Sequence, residues 1–178
     1  METELTMNKE KKNFAPYLLW LILGAGILTV FDQWTKYLAV THLKGQKSIV
    51  LIPGVLELEY LENRGAAFGI LTNQQWFFYI ITVVMAAVII WIYFKMPRTK
   101  RFLPAHIVAV VILSGALGNF IDRVRLKYVV DFIYFSLIDF PIFNVADIYV
   151  TVSAVMVFLL VLFVYKEEDY EFLKRKEK

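Results

Sequence analysis

Long apolar runs alternate with short polar connections along this chain of 178 residues. A helix needs about 20 mostly apolar residues to span the core of a bilayer. Four runs reach that length, at about residues 16–40, 75–94, 102–121 and 145–165. The pattern therefore predicts an all-α membrane protein with four transmembrane helices. We expect a single integral membrane domain over residues 1–178, with tails at about 1–15 and 166–178.

The first apolar run follows the basic segment KEKK, as the apolar part of a secretory signal would. It has no convincing small-x-small cleavage site, and Asp32 and Lys36 interrupt its far end. Signal peptides carry such a site after a short apolar stretch. We therefore interpret this run as a retained transmembrane helix.

The connection between the first two runs, at about residues 42–73, has a strand-like period. In SIVLIPGVLELEYLENRGAAFGI a Pro-Gly pair divides two β-prone pieces, and Leu56, Leu58 and Tyr60 alternate with Glu57 and Glu59. Alternation with a period of two is typical of a strand with one buried face. The sequence predicts a small β-rich cap between helices 1 and 2, resting near the membrane surface.

The basic residues indicate how the helices are oriented. They cluster before the first run, between the second and third, and after the fourth: Lys9, Lys11, Lys12; Lys95, Arg98, Lys100, Arg101; Lys174, Arg175, Lys176, Lys178. Loops rich in lysine and arginine stay on the cytoplasmic side. We therefore predict cytoplasmic N- and C-termini, with the cap and the connection at about 122–144 on the outer face. The outer connections also carry basic residues, which makes the rule imperfect here.

Composition narrows the function classes. Hydrophobic residues make up 59% of the chain and charged residues 20%, and the formal charge is only +3. A nucleic-acid binder needs a basic face on a folded domain, which this distribution does not supply. The chain has no cysteine, so it offers neither disulfides nor thiolate ligands, and with only two histidines, far apart in sequence, we expect no zinc site.

Polar residues converge at the predicted outer ends of the helices. Charges inside a span are costly and usually face a bundle interior or a cavity. Here they belong to three helix ends and two loops: Asp32, Lys36; Asn119, Asp122, Arg123; Asn144, Asp147; Asn63; Asp131. This convergence predicts a functional site at one level of the membrane.

Several of these residues also have structural explanations. Asp32 precedes Lys36 by four residues, the spacing of a helical ion pair. Asn144 with Asp147 has the spacing of a helix N-cap and its capping-box partner. Ser114, Gly115 and Gly118 favour close packing between helices. Asn63 before Gly65 is typical of a turn. The charges at 122–123 are equally well explained as ordinary charges at the membrane interface.

Asp131 is harder to explain structurally, because apolar residues flank it on both sides in VVDFI. Burial raises the pKa of a carboxyl group, and two neighbouring carboxyls share one proton. Asp131 and Asp147 are therefore candidates for an acid–base pair that activates water. Ion or proton conduction through intramembrane carboxylates is the alternative that the residues leave open.

Four blocks together resemble one family, the lipoprotein signal peptidases (signal peptidase II). They are DQWTK from Asp32, NRGAAF from Asn63, GNFIDR with VVDFI between Gly118 and Ile133, and FNVAD from Phe143. Each block alone is weak, but all four in order on a four-helix topology are specific. The resemblance covers about residues 31–147.

The resemblance implies an aspartyl peptidase of the bacterial cytoplasmic (inner) membrane. Members of the family remove the signal peptide from prolipoproteins whose lipobox cysteine carries a diacylglyceryl group, cutting on the N-terminal side of that cysteine. They use no metal or organic cofactor, and the cyclic peptide antibiotic globomycin blocks their catalytic pair. We expect a monomer surrounded by membrane lipids, with the active site at the extracytoplasmic face.

Carried over by residue, the resemblance makes Asp131 and Asp147 the catalytic pair. It assigns substrate binding and support of the pair to Asn63, Asn119, Arg123 and Asn144, and structural support to Asp32, Lys36, Gly65 and Asp122. It also implies a lipid groove between helices, for which Phe68, Phe132, Phe135 and the aromatic cluster at 76–78 are candidate linings. An aromatic belt at the membrane interface is the simpler explanation of the cluster.

One position departs from the pattern of the family. A glycine is common between the DR and VVD elements, where this chain has Lys127. A lysine is costly if that position requires a positive φ. We therefore expect the turn before Asp131 to be the place where this chain differs in shape or stability.

Overall fold

A computed structural model of the protein describes residues 14–65 and 74–173. Over these residues the chain forms four long helices, which we name α1 (Phe14–Leu43), α2 (Gln75–Lys95), α3 (Leu103–Leu126) and α4 (Val145–Leu159). A π-helical turn at Leu160–Val164 extends α4. All four are long and apolar enough to cross a membrane, which confirms the four predicted spans. The predicted basic clusters at 9–12 and 174–178, and Phe68, lie outside the described residues.

Two helices run further than the sequence pattern predicts. We expected α1 to end at about residue 40 and α3 at about residue 121, but they end at Leu43 and Leu126. Asp32, Lys36 and Asp122 therefore lie within helices instead of marking their ends. These charges are buried against one another, so a membrane helix accommodates them without breaking.

Helix α3 is the centre of the bundle and packs against α1, α2 and α4. Small residues make its contact with α4 close. A Cβ atom at Gly115 would lie 2.5 Å from the carbonyl oxygen of Ala146, and one at Gly118 would clash with the carboxylate of Asp32. Ser114 is fully buried in the same region. The predicted role of these small residues in helix packing is confirmed.

A sheet caps one end of the bundle. Its strands among the described residues are β1 (Ile49–Ile52), β2 (Leu56–Asn63) and β3 (Val129–Tyr134), in the order β1-β2-β3 with both pairs antiparallel. The turn between β1 and β2 has Pro53 followed by Gly54 at φ 69°, and the amide of Val55 donates to the carbonyl of Ile52 over 3.0 Å. This is a type II turn, in which glycine supplies the positive φ.

The cap is built from two connections, which corrects our expectation that the connection between helices 1 and 2 forms it alone. Strand β3 comes from the connection between α3 and α4, and it pairs with the long strand β2. Without β3 the inner edge of β2 would lack hydrogen-bond partners. Val130 and Phe132 of β3 pack with Ala39 and Leu43 of α1, which fixes the sheet on the end of the bundle.

The chain between β3 and α4 folds back onto the sheet. A short 3₁₀ turn at Ser136–Ile138 reverses its direction. The amides of Phe132 and Ile133 both donate to the carbonyl of Phe143, over 3.0 and 2.8 Å, and Phe143 donates back to Ile133 over 3.0 Å. This bridge brings the first residue of the FNVAD block beside β3, and α4 begins immediately after it.

Lys127 ends helix α3 in the left-handed conformation, at φ 67° and ψ 13°. Its amide donates to the carbonyl of Arg123 over 3.1 Å, as in a common helix C-cap. A side chain at such a position costs energy that glycine avoids. The expected strain at this departure from the family pattern is therefore present in the backbone.

We expect the Lys127→Gly variant to be more stable than the wild type, by about 1 kcal/mol, because it removes the left-handed penalty. Thermal unfolding in the same detergent measures the effect. Lys127→Ala, which keeps a Cβ atom and removes the rest of the side chain, is the matched control and should gain nothing. A lower melting temperature for Lys127→Gly would contradict the interpretation.

Candidate active site

A cavity of about 510 Å³ opens where the sheet meets the C-terminal end of α3 and the N-terminal end of α4. Most of its polar lining comes from three of the four sequence blocks, all but DQWTK, and its apolar wall comes mainly from α2, the loop before α4 and α4 itself. The residues that line it are Asn63, Gly65, Phe78, Asn119, Arg123, Val129, Asp131, Phe140, Pro141, Ile142, Phe143, Asp147, Ile148, Thr151 and Val152. Both predicted catalytic aspartates are among them.

Asp131 lies on β3 and is almost completely buried. Each of its carboxylate oxygens accepts one amide: Asn63 Nδ2 donates to Oδ2 over 2.8 Å and Asn144 Nδ2 donates to Oδ1 over 2.6 Å. Asn63 reaches it because β2 and β3 pair with Asn63 opposite Val129. Burial first, and then the charge of Asp147, raise the pKa of Asp131 to about 7.

Asp147 lies in the first turn of α4, facing the same cavity. It forms a capping box with Asn144, since its amide donates to Asn144 Oδ1 over 3.0 Å and its own Oδ2 accepts the amide of Asn144 over 3.1 Å. The predicted N-cap is therefore confirmed. Asn119 Nδ2 donates to the other oxygen, Oδ1, over 2.7 Å.

Asn144 connects the two aspartates. Its oxygen is committed to the backbone amide of Asp147, so its amino group points the opposite way. That group donates to Asp131 over 2.6 Å and to Asn119 Oδ1 over 3.1 Å. One fully buried side chain thus caps α4 and holds both carboxyl groups in a fixed relation.

A buried ion cluster, formed by Asp32, Lys36 and Asp122, lies beneath the pair. Lys36 Nζ is 2.9 Å from Asp32 Oδ2 and 3.2 Å from Asp122 Oδ2. The helical ion pair predicted from spacing is confirmed. Asp32 also accepts the amide of Ala146 over 2.9 Å, and Asp122 accepts the amide of Val130 over 3.1 Å. The cluster therefore joins α1 and α3 to the segments that carry the two aspartates.

Arg123 borders the cavity from α3. Its guanidinium lies 4.4 Å from the ring centroid of Phe78, and its Nη2 approaches the carbonyl of Gly65 at 3.4 Å. The amide of Gly65 in turn donates to Asn63 Oδ1 over 3.0 Å, which orients the Asn63 amide toward Asp131. Arg123 and Gly65 thus support the NRG segment that contacts the pair.

The structure brings every predicted site residue to one end of the bundle. Sequence reasoning missed Gln33, which donates to Asp122 over 2.9 Å and to the carbonyl of Gly118 over 3.2 Å. An uncharged polar residue beside Asp32 in an apolar helix was the available signal. It also missed the wall at 140–143, for which the sequence gives no periodic signal. Among the suggested aromatic linings, Phe78 borders the cavity, whereas Phe132 packs in the core beneath the sheet.

Comparison with known sequences matches the chain to one family. The model of the family described as signal peptidase (SPase) II covers residues 8–163. A lipoprotein signal peptidase of Streptococcus pyogenes serotype M5 (strain Manfredo) is 44% identical over 149 residues, which is 84% of this chain and 95% of that protein. The corresponding protein of Streptococcus pyogenes serotype M3 (strain SSI-1) is 43% identical over the same share of both chains.

Two solved structures, both of bacterial membrane enzymes obtained by the in meso method, have similar folds. One, at 2.3 Å, superposes with a TM-score of 0.69 and 32% identity, and covers 89% of this chain and 93% of its own. The other, at 1.9 Å, has a TM-score of 0.70 and 36% identity, with 82% and 94% coverage.

Proposed function

Because this chain belongs to the signal peptidase II family, we propose that it is an aspartyl endopeptidase that removes signal peptides from diacylglyceryl-modified prolipoproteins. It cuts on the N-terminal side of the lipidated cysteine. The observation that carries the proposal is that Asp131 and Asp147 face one cavity, joined by Asn144, at the end of a bundle of membrane-spanning helices. The protein is a multi-pass bacterial membrane protein.

The orientation in the membrane follows from the loop opposite the site. Arg98, Lys100 and Arg101 lie in the connection between α2 and α3, at the end of the bundle away from the cavity. A short loop with this charge stays in the cytoplasm. The active site then lies at the extracytoplasmic face of the cytoplasmic membrane, where a signal peptide emerges from the bilayer.

The two aspartates start in different protonation states. Asp147 lies at the N-terminus of α4, where the aligned backbone amides favour a negative charge. Asp131 lies on a strand, buried, with a pKa of about 7. Asp147 is therefore the ionised member of the pair, and Asp131 is the member that keeps a proton up to about pH 7.

The reaction follows from this asymmetry. Asp147 takes a proton from a water molecule in the cavity, and the resulting hydroxide attacks the scissile carbonyl carbon. The proton on Asp131 is donated in a hydrogen bond to the carbonyl oxygen as negative charge develops there. As the tetrahedral species collapses, Asp147 returns its proton to the departing amine. Each carboxylate oxygen of the pair accepts one amide donor, which leaves further lone pairs for water and substrate.

The apolar wall suits the substrate. The signal peptide and the diacylglyceryl chains are both apolar, and the cavity continues along Ile148 and Val152 on the exposed face of α4. The lipid of the substrate lies there, open laterally to the bilayer. Globomycin, an inhibitor of this family, occupies the same cavity. The polar groups of Asn63, Asn119, Arg123 and Asn144 hold the backbone near the cleavage point and support the pair.

We expect kcat/KM to fall as the pH rises above about 7, because the protonated form of Asp131 is then lost. Asn63 donates to this carboxyl and stabilises its charged form, so removing the donor raises the pKa. In Asn63→Ala the basic limb of the pH–rate profile should move upward, by about one unit. Tyr134→Phe is the control, since Tyr134 bonds to Asp139 at the exposed end of the same strand. An unmoved basic limb in Asn63→Ala would count against the assignment.

The direct test is cleavage in detergent, followed by gel shift, of a prolipoprotein that carries the diacylglyceryl group. Cleavage of the modified substrate, none of the unmodified one, and inhibition by globomycin together support the proposal. If the folded wild type cleaves neither substrate, the peptidase proposal is wrong. Proton flux in liposomes then tests the conduction alternative.

A further inference from the structure

Lys36 makes a hydrogen bond to a neutral side chain in addition to its two ion pairs. Its ammonium group is 3% exposed and is already balanced by Asp32 and Asp122. A third hydrogen bond, of 2.9 Å, goes to Oδ1 of Asn119. Asn119 is neutral and donates to Asp147, so this bond leads from the buried ion cluster into the proposed site.

The amide of Asn119 has two distinct ends, and its neighbours determine which way each points. Lys36 donates hydrogen bonds and accepts none, so it requires the oxygen. The amino group is thereby turned to Asp147 Oδ1, 2.7 Å away. In the opposite orientation the amino group would face an ammonium and the oxygen would face a carboxylate. Asn144 reinforces the observed orientation with a 3.1 Å bond to the same oxygen, but the bond from Lys36 carries a charge and is the stronger.

We propose that Lys36 is a positioning residue of the peptidase reaction: it holds Asn119 so that the amide donates to Asp147, and so keeps Asp147 the ionised, water-activating carboxylate. The inference rests on the proposed function. The charged and titratable groups around Asp147 come from each packed element. They are Asp32 and Lys36 of α1, Tyr79 of α2, Asp122 and Arg123 of α3, and Asp131 of β3.

Loss of Lys36 has a specific consequence for the chemistry. Without the ammonium, only the weaker 3.1 Å bond from Asn144 still favours the observed orientation, and the amide of Asn119 can turn to present its oxygen to Asp147. An oxygen lone pair is compatible with Asp147 only when the carboxyl carries a proton. Asp147 then takes up its proton at a higher pH, and the acidic limb of the pH–rate profile moves upward.

The test keeps the charge of the buried cluster constant. The double variant Asp32→Asn/Lys36→Met removes one cation and one anion, and asparagine still offers an oxygen to the amide of Ala146. We expect the acidic limb of kcat/KM to rise by about one pH unit. At a pH on the acidic side of the wild-type limb, kcat/KM of the double variant should then be about tenfold lower than that of the wild type. Gln33→Leu is the matched control, since Gln33 donates hydrogen bonds to Asp32, Asp122 and the carbonyl of Gly118 and none to Asn119.

Infrared titration of the carboxyl bands supplies a readout that does not depend on activity. The band that disappears in Asp147→Asn reports Asp147, and it should titrate at a higher pH in the double variant than in wild type and Gln33→Leu. Should the double variant fail to fold, Asp122→Asn/Lys36→Met keeps the same cluster charge, still offers an oxygen to the amide of Val130, and gives the same comparison.

The outcomes separate the two proposals. A wild-type profile and an unshifted Asp147 band in the folded double variant would overturn the role of Lys36, while leaving the peptidase activity intact. Failure of the wild type to cleave the lipidated substrate would overturn the function, while the infrared shift would still test the hydrogen-bond chain.

Discussion

The Asp131→Asn and Asp147→Asn variants are each expected to lose at least about 10²–10⁴-fold in kcat, the contribution of a positioned acid or base. In the proposed mechanism, Asn at 131 cannot supply the proton that the carbonyl oxygen needs, and Asn at 147 cannot accept one from water. Both substitutions keep the size of the side chain and one acceptor oxygen. Asp147→Asn also removes a charge from a largely buried site, and both proteins should remain folded and inserted.

Cleavage of the lipidated substrate and thermal unfolding, measured on the same preparations, check this result. Asp139→Asn is the matched control, because Asp139 is an exposed aspartate between β3 and α4 that bonds to Tyr134. It should retain wild-type activity. Full activity in either Asp131→Asn or Asp147→Asn would remove that residue from the mechanism.

The Asp32→Ala variant should lose about 3–5 kcal/mol of stability, the cost of removing one member of a buried ion pair. Asp32 is fully buried and accepts from Lys36, Gln33 and the amide of Ala146. Its loss leaves the amide in the first turn of α4 without a partner and halves the counter-charge of Lys36. Stability or expression should therefore fall at least as much as specific activity.

Lys44→Ala is a suitable comparison for Asp32→Ala, because the Lys44–Glu62 pair, 2.9 Å apart, is exposed. Solvent screens such pairs, and little change in melting temperature is expected. An Asp32→Ala protein that is as stable as the wild type but inactive would show that Asp32 takes part in the chemistry.

The elements that the sequence predicts well are those set by local pattern. Four apolar runs of sufficient length gave the four helices. The Pro53-Gly54 turn, the Asn144–Asp147 capping box and the Asp32–Lys36 pair all join residues within four positions of each other. Local spacing determines these interactions, so they are visible without any knowledge of the fold.

The features that the sequence did not predict depend on contacts between segments that are distant in the chain. Strand β3 joins the cap by pairing Asp131 opposite Leu61, a contact that neither segment indicates alone. The charges near the end of α3 looked like the point where the helix leaves the membrane. Asp122 is instead buried, because α1 supplies Lys36 as its partner. The assembly of the ion cluster could not be predicted for the same reason.

The Asn144–Asp147 capping box also bears on how this protein is made. The same hydrogen bonds that start the last helix hold Asp147 and, through Asn144, bind Asp131. A ribosome completes α4 last among the four described helices. A chain arrested before that helix therefore lacks Asp147 and also lacks the hydrogen bond from Asn144 to Asp131. If the proposed mechanism holds, hydrolytic activity arises only on completion of the final span, and unfinished chains in the membrane are inert toward passing signal peptides.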